Sequence, residues 1–291
     1  MHRQLWRAGP AFRGRCRISM ADQPKTPEVK FADLGVRFAS AVFLIAVAVL
    51  AFWNDIAFAT LFVSLGAGLM LWEYRRIVRR GVSLTEPVLW ITIIFSVLAV
   101  MMTGYISLWG AAIPMAVGVA LLAWRDRDNL RWMGPGFVYI TLALCVLVDM
   151  RRTEETGLLT VLWMILVVVA ADVGGYFAGR TFGGPKLWPK VSPKKTWSGA
   201  IGGLVLALCV GLVFWVGGWG ANLAIILPLS VAVAVASQAG DLLESSIKRH
   251  FGVKDSSALI PGHGGLLDRF DGLLGGLLMF GLVERLGLLT G

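Results

Sequence analysis

The sequence predicts an all-α, polytopic helical bundle embedded in a membrane, and three observations carry that prediction. Of 291 residues, 57% are hydrophobic and only 15% are charged, a balance foreign to soluble chains. The apolar residues fall into runs long enough to cross a hydrocarbon layer of ~30 Å. Basic residues outnumber acidic ones 27 to 18, for a net charge of +9. They gather in alternate gaps between the runs, as the positive-inside rule requires. The same composition excludes collagen-like, disordered and disulfide-stapled classes. Cys16, Cys145 and Cys209 show neither zinc-site nor disulfide spacing. No recognition-helix or ribonucleoprotein-type pattern is present, so the positive charge points to anionic lipid and phosphate-bearing substrates rather than nucleic acid.

About nine spans are expected, at 37–53, 56–72, 88–103, 106–124, 134–148, 157–171, 199–219, 222–239 and 272–289. Only Asn54 and Asp55 separate the first pair, and the fifth and sixth runs are short, so tilted, broken or re-entrant segments fit the pattern too. Basic residues precede the first run and follow the second (Arg75, Arg76, Arg79, Arg80), the fourth (Arg125, Arg127, Arg131), the sixth and the eighth. These loops share one side, expected to be cytoplasmic, with the N-terminus inside and an odd span count placing the C-terminus outside. Arg151 and Arg152 fall on the other side, where Asp149, Glu154 and Glu155 offset them. Residues 1–36 hold arginines but no apolar stretch of leader length. They read as a basic cytoplasmic tail rather than a cleaved leader, with Met20 an alternative start. Residues 37–171 are expected to form a transmembrane scaffold and 172–291 the catalytic region. No internal duplication of the transporter kind is detectable.

Chemistry-bearing residues concentrate in three stretches after Ala171. The first runs through Asp172, Gly174, Gly175, Tyr176, Gly179 and Arg180 to Lys186, Lys190, Ser192, Lys194, Lys195 and Thr196, and ends at a helix whose first residues include Gly199. Its cations, hydroxyls and glycines suit a phosphate cradle, although no Walker A motif is present, and a loop that merely fixes topology has the same composition. The second holds Asp241, Glu244, Ser245, Lys248 and Arg249. Three- and four-residue spacings put Asp241, Glu244, Ser245 and Lys248 on one helix face. An unpaired carboxylate there is costly, which makes Asp241 a functional candidate, whereas Glu244 and Lys248 also suit a plain interfacial salt bridge.

The third stretch is Lys254, Asp255, Pro261, His263, Gly264, Gly265, Asp268, Arg269 and Asp271. If the final helix begins near Gly265, Asp268 and Asp271 lie one turn apart on a common face. Two adjacent acids repel, and a bound divalent cation relieves that repulsion; oxygen-only ligands favour magnesium over zinc. Alternatively, Asp268 pairs with Arg269 or caps the helix. His263 suits a ligand, an acid or base, or a hydrogen-bonding loop residue, and the residues alone favour the last.

The segment from Ser245 to Asp271 resembles the signature of the phosphatidate cytidylyltransferase, or CDP-diacylglycerol synthase, family. Ser245, Ile247, Lys248, Arg249, Lys254, Asp255, Ser257, Pro261, His263, Gly264, Gly265, Asp268, Arg269 and Asp271 stand in the places of that pattern. Upstream, Asp172 through Lys195, Thr196 and Gly199 is similar to further family segments. Ser198 departs from the glutamate that many members carry. The resemblance covers about the last 120 residues.

It implies cytidylyl transfer from CTP to phosphatidic acid with magnesium required; a second, monovalent ion is not legible in the residues. On that reading Asp241, Asp268 and Asp271 are the expected metal ligands. Asp268, Arg269 and Lys248 are the expected catalytic residues, and Ser192, Lys194, Lys195, Thr196, Ser245, Arg249, Lys254, His263 and Asp172 the substrate-binding set. The expected location is a bacterial-type inner membrane with the site facing the cytoplasm. Gly199 with Gly203 and Gly272 with Gly276 have the four-residue spacing of close helix packing, either within the bundle or in a homodimer. Two rival readings are a CTP-dependent kinase of a polyprenol or similar lipid alcohol and, in a different class, a secondary transporter.

Overall fold

A computed structural model of the protein describes residues 49–53, 55–79, 82–153, 156–219, 222–260 and 264–288. The expected tail, most of the first run and His263 lie outside the described residues. Helix α1 (Ile56–Val78) opens on Asp55, whose Oδ1 accepts the Phe58 N–H at 3.0 Å. Helix α2 (Pro87–Tyr105) starts with a proline, which has no N–H to leave unpaired there. A 3₁₀ turn (Leu108–Ala111) leads into α3 (Ala112–Arg125), followed by α4 (Leu130–Arg152) and α5 (Gly157–Phe182). The antiparallel strands β1 (Lys186–Trp188) and β2 (Ser192–Thr196) then pair Lys186 with Thr196 and Trp188 with Ser192. Helices α6 (Trp197–Val216), α7 (Leu223–His250) and α8 (Leu267–Arg285) follow among the described residues.

The all-α polytopic expectation holds. Among the described residues seven segments, corresponding to α1 through α7, are long and apolar enough to cross a membrane. Helix α8 replaces the expected run 272–289 but begins five residues earlier, taking Asp268, Arg269 and Asp271 into the helix. The expected count of nine is therefore not reached by the described spans.

Several boundaries differ from expectation for one physical reason. Backbone hydrogen bonding continues past the apolar stretch, so hydropathy marks the lipid-facing part of a helix and not its end. The fifth and sixth runs become helices of 23 and 26 residues, neither short nor re-entrant. Asp172 is interior to α5 rather than terminal, the 171/172 segment boundary falls inside that helix, and Asp241 is interior to α7.

Small residues set the packing of the C-terminal helices. A Cβ on Gly174 would sit 2.6 Å from the Gly202 carbonyl oxygen, one on Gly199 2.7 Å from that of Gly175, and one on Gly203 2.5 Å from that of Ala171. Helices α5 and α6 thus approach backbone to backbone, as small residues permit. Gly272 abuts Ser237, and Gly276 abuts Val233, in the α7–α8 contact. Both spaced glycine pairs therefore serve the inside of the bundle. Helix α4 is central, with Phe137, Ile140, Leu144 and Val148 buried.

Polar ties fix the two ends. At one, Arg75 is fully buried between Glu86 and Asp126, and Tyr74 donates to the Trp132 carbonyl at 2.8 Å. At the other, Arg152 donates to the Ile106 carbonyl at 2.9 Å, Arg151 donates to that of Phe52 at 2.9 Å, and Arg285 pairs with Asp149. The basic gaps after α1, α3, α5 and α7 all lie at the first end.

Candidate active site

The segment between α7 and α8 is held at that first end by two carboxylates. Asp268, in the first turn of α8, accepts Lys248 Nζ at 2.7 Å on Oδ1. Its Oδ2 accepts the N–H groups of Ser256 and Gly265, each at 2.9 Å. Lys248, near the end of α7, also lies 3.3 Å from Glu244, and its side chain is only 9% exposed. Burial by itself raises the Asp268 carboxyl, but the Lys248 ammonium and the Gly265 and Ser256 amides outweigh it and hold the group below its ordinary range. Gly264 turns the chain at φ +86°, a conformation that disfavours any side chain, and bridges to Ile260.

The second carboxylate is Glu73 of α1, which the sequence reading did not select. It is fully buried. It accepts the Leu266 N–H at 2.9 Å, the Leu267 N–H at 2.6 Å and the hydroxyls of Ser256 and Ser257. Its one sequence signal is a carboxylate at the end of an apolar run, two residues before an arginine.

A second group forms between α5, the hairpin, α6 and α7. Lys195 on β2 pairs with Asp241 on α7, and Ser245, one turn later, donates to Asp241 Oδ1 at 3.3 Å. Beside them opens a cleft of about 410 Å³ lined by Asp172, Tyr176, Arg180, Lys194, Thr196 and Gln238 among others. That volume lies in the range of small-molecule sites. A larger cavity of about 570 Å³ at the opposite end, between Trp109, Leu142 and Arg285, holds none of the predicted site residues.

The predicted residues differ in what surrounds them. Gly174, Gly175, Gly179 and Gly199 pack the α5–α6 seam, and the last three also border the cleft. Thr196 Oγ1 caps α6 by accepting the Gly199 N–H at 3.1 Å, and Ser198, at the divergent position, donates to the Gly183 carbonyl. Ser192 lies on the hairpin, opposite Trp188. Lys194, Arg249, Lys254 and Arg269 are exposed. Arg249 donates to the Val253 carbonyl at 3.0 Å. Asp172, Asp241 and Asp271 are close enough to repel one another, and Glu244 adjoins Asp271.

Among the described residues, no group of three or more His, Cys, Asp or Glu side chains is arranged to hold a metal ion. Magnesium, however, needs only one or two protein carboxylates when substrate phosphates supply further oxygens. Asp241 and Asp271 are neighbouring, mutually repelling oxygen donors of that kind, although Asp241 already meets Lys195 and Ser245. Asp268 has both oxygens engaged by Lys248 and backbone amides.

Two lysine–carboxylate pairs, a cluster of acids and several exposed cations lie together at one end of a membrane-spanning helical bundle. The chain belongs to the cytidylyltransferase family, whose sequence model matches residues 35–285. A relative from Haemophilus influenzae is 38% identical over 261 residues, covering 81% of this chain and 86% of its own. One from Brucella suis is 42% identical over 171 residues, covering 56% of this chain and 62% of its own. A Bacillus subtilis relative is 38% identical over 151 residues, covering 50% and 55% respectively. All three are phosphatidate cytidylyltransferases by name. The chain spans about three fifths of the Brucella relative's length, 62%.

Proposed function

We propose that this protein transfers a cytidylyl group from CTP to phosphatidic acid, giving CDP-diacylglycerol and pyrophosphate for phospholipid synthesis. The observation that carries the reading is the gathering of the Lys195–Asp241 and Lys248–Asp268 pairs at one end of the bundle, in a chain similar to relatives of that name.

A lipid phosphate oxygen attacks the α-phosphorus of CTP, and the bond to the β-phosphate bridging oxygen breaks as pyrophosphate departs. The nucleophile is already anionic, so no strong base is needed. The barrier is electrostatic: like unit charges brought to 4 Å repel by roughly 4 kcal/mol per pair at an effective dielectric of 20, and several pairs meet. Lys194, Lys195 and Arg180 border the cleft, and Lys248, Arg249, Lys254 and Arg269 lie along α7, α8 and the segment between them. Together they offset that repulsion and stabilise the leaving group. Lys195 and Lys248 reach the substrate phosphates already oriented by Asp241 and Asp268. Ser192 and Ser245 donate hydrogen bonds to the phosphates, and Asp172 orients the cations of the cleft.

When bound, magnesium would supply charge neutralisation across the reacting phosphates. Asp271 and Asp241 would hold it, Asp241 by loosening its pair with Lys195, and Asp268 would join them only by releasing Lys248. A monovalent ion beside it would find further carboxylate oxygen at Glu244. CTP enters from the cytoplasm, the lipid approaches laterally within a bacterial inner membrane, and a homodimer would place two such sites side by side.

The test is an assay with purified protein, phosphatidate, magnesium and labelled CTP, omitting each in turn and identifying the products. CDP-diacylglycerol with pyrophosphate is expected. Release of CDP with a phosphorylated lipid alcohol, or substrate flux across sealed vesicles without CTP consumption, would replace the proposal.

A further inference from the structure

Helix α8 begins without a cap of its own, since Leu266 provides no side-chain acceptor for the first N–H groups. Those orphan donors need partners, and the positive end of the helix favours an anion. Glu73 supplies both from α1, 193 residues before Leu266, with one oxygen on the Leu266 N–H and the other on the Leu267 N–H. The residue after this cap is Asp268.

Ser256 ties the two carboxylates together. Its N–H donates to Asp268 at 2.9 Å while its hydroxyl donates to Glu73 at 3.3 Å. Gly265 admits the Glu73 carboxylate, because a Cβ there would stand 2.7 Å from Glu73 Oε1 and 1.8 Å from Ser256 Oγ. The place of the Asp268–Lys248 pair is thus set by a buried anion of the N-terminal half.

We propose that Glu73 is a positioning residue for the reaction: it holds the first turn of α8 and Ser256–Ser257 so that Asp268 presents Lys248 in reacting geometry. The inference rests on the cytidylyl-transfer reading for its kinetic consequence and on the geometry alone for the cap.

The full chain in lipid nanodiscs provides the test, with Glu73→Gln, Ser257→Ala and, as a control, Glu86→Gln. The control disturbs a carboxylate whose ion-pair partners are Arg75 and Arg79. In Glu73→Gln, kcat should fall on the order of tenfold to a hundredfold while KM for CTP stays within about twofold. Ser257→Ala, which removes a single donor, should fold and lower kcat by about twofold to fivefold. Glu86→Gln should lower the thermal midpoint and leave kcat alone.

Hydrogen exchange reads the cap independently, and the Leu266 and Leu267 amides should lose protection in Glu73→Gln. An unchanged kcat in both loop variants, or an equal fall in Glu86→Gln, would overturn the kinetic role. Unchanged amide protection would overturn the positioning role altogether. Should Glu73→Gln fail to fold, Ser257→Ala decides. A wild-type protein without cytidylyl transfer would sink the functional reading, and the exchange measurement would still judge the cap.

Discussion

Lys195 and Lys248 each meet a carboxylate, yet their energetics differ because their exposure differs. The Lys195 and Asp241 side chains are each 28% exposed, those of Lys248 and Asp268 9% and 5%. Removing Lys195 therefore breaks a partly screened pair worth about 1 kcal/mol or less. Removing Lys248 strands Asp268 beside Glu244, which costs about 3–5 kcal/mol. Lys195→Met should lose labelled CTP incorporation with a nearly native thermal midpoint, whereas Lys248→Met should lose both; calorimetry in detergent beside the assay checks this. Asp268 also dictates a pH response. Its folded carboxyl lies below the ordinary range. Its stabilisation is therefore fully present above the unfolded carboxylate value of about 3.9, and is lost as pH falls through the lower folded value. Denaturation midpoints between pH 7 and pH 5 should show no loss from this group in a comparison of wild type with Asp268→Asn.

At the scale of elements, the α5–α6 contact makes a steric prediction. A Cβ on Gly202 would lie 2.2 Å from the Ala178 Cβ, and one on Gly174 2.6 Å from a backbone oxygen, so neither helix can yield without separating. Gly202→Ala should destabilise by about 1–3 kcal/mol through overpacking. Gly66, in α1, has nothing within 4 Å of its added carbon. Gly66→Ala should be neutral or stabilising by up to about 1 kcal/mol, from helix propensity alone. Thermal midpoints in one detergent separate the two outcomes. The seam was legible in the sequence only as repeated glycine. Glycine serves a phosphate cradle or a helix contact equally well, and which backbone faces it is a tertiary fact.

For the whole molecule, the alternation of basic and neutral ends implies a definite sidedness. Ser83, between α1 and α2, and Lys190, in the hairpin turn, lie at the end that carries the site; Ser107, between α2 and α3, lies at the other. In a background with Cys16, Cys145 and Cys209 replaced, Ser83→Cys and Lys190→Cys should react with an impermeant thiol reagent from one side of sealed vesicles, and Ser107→Cys only from the opposite side. Equal labelling of all three from one side would break the topology.

Hydropathy and charge alone determined the class of fold, the grouping of basic loops and the choice of Asp172, Lys195, Asp241, Lys248 and Asp268 as candidates for chemistry. Those signals are local: an apolar run must lie in lipid, and a carboxylate among apolar neighbours needs a partner, whatever the rest of the chain does. Which partner it finds is not local. Only the tertiary structure gave Asp268 to Lys248, turned the glycines into a helix seam and brought Glu73 to the start of α8. Each of those contacts joins residues from separate elements, and the free energy of the assembled bundle, not the pattern of any one segment, selects them.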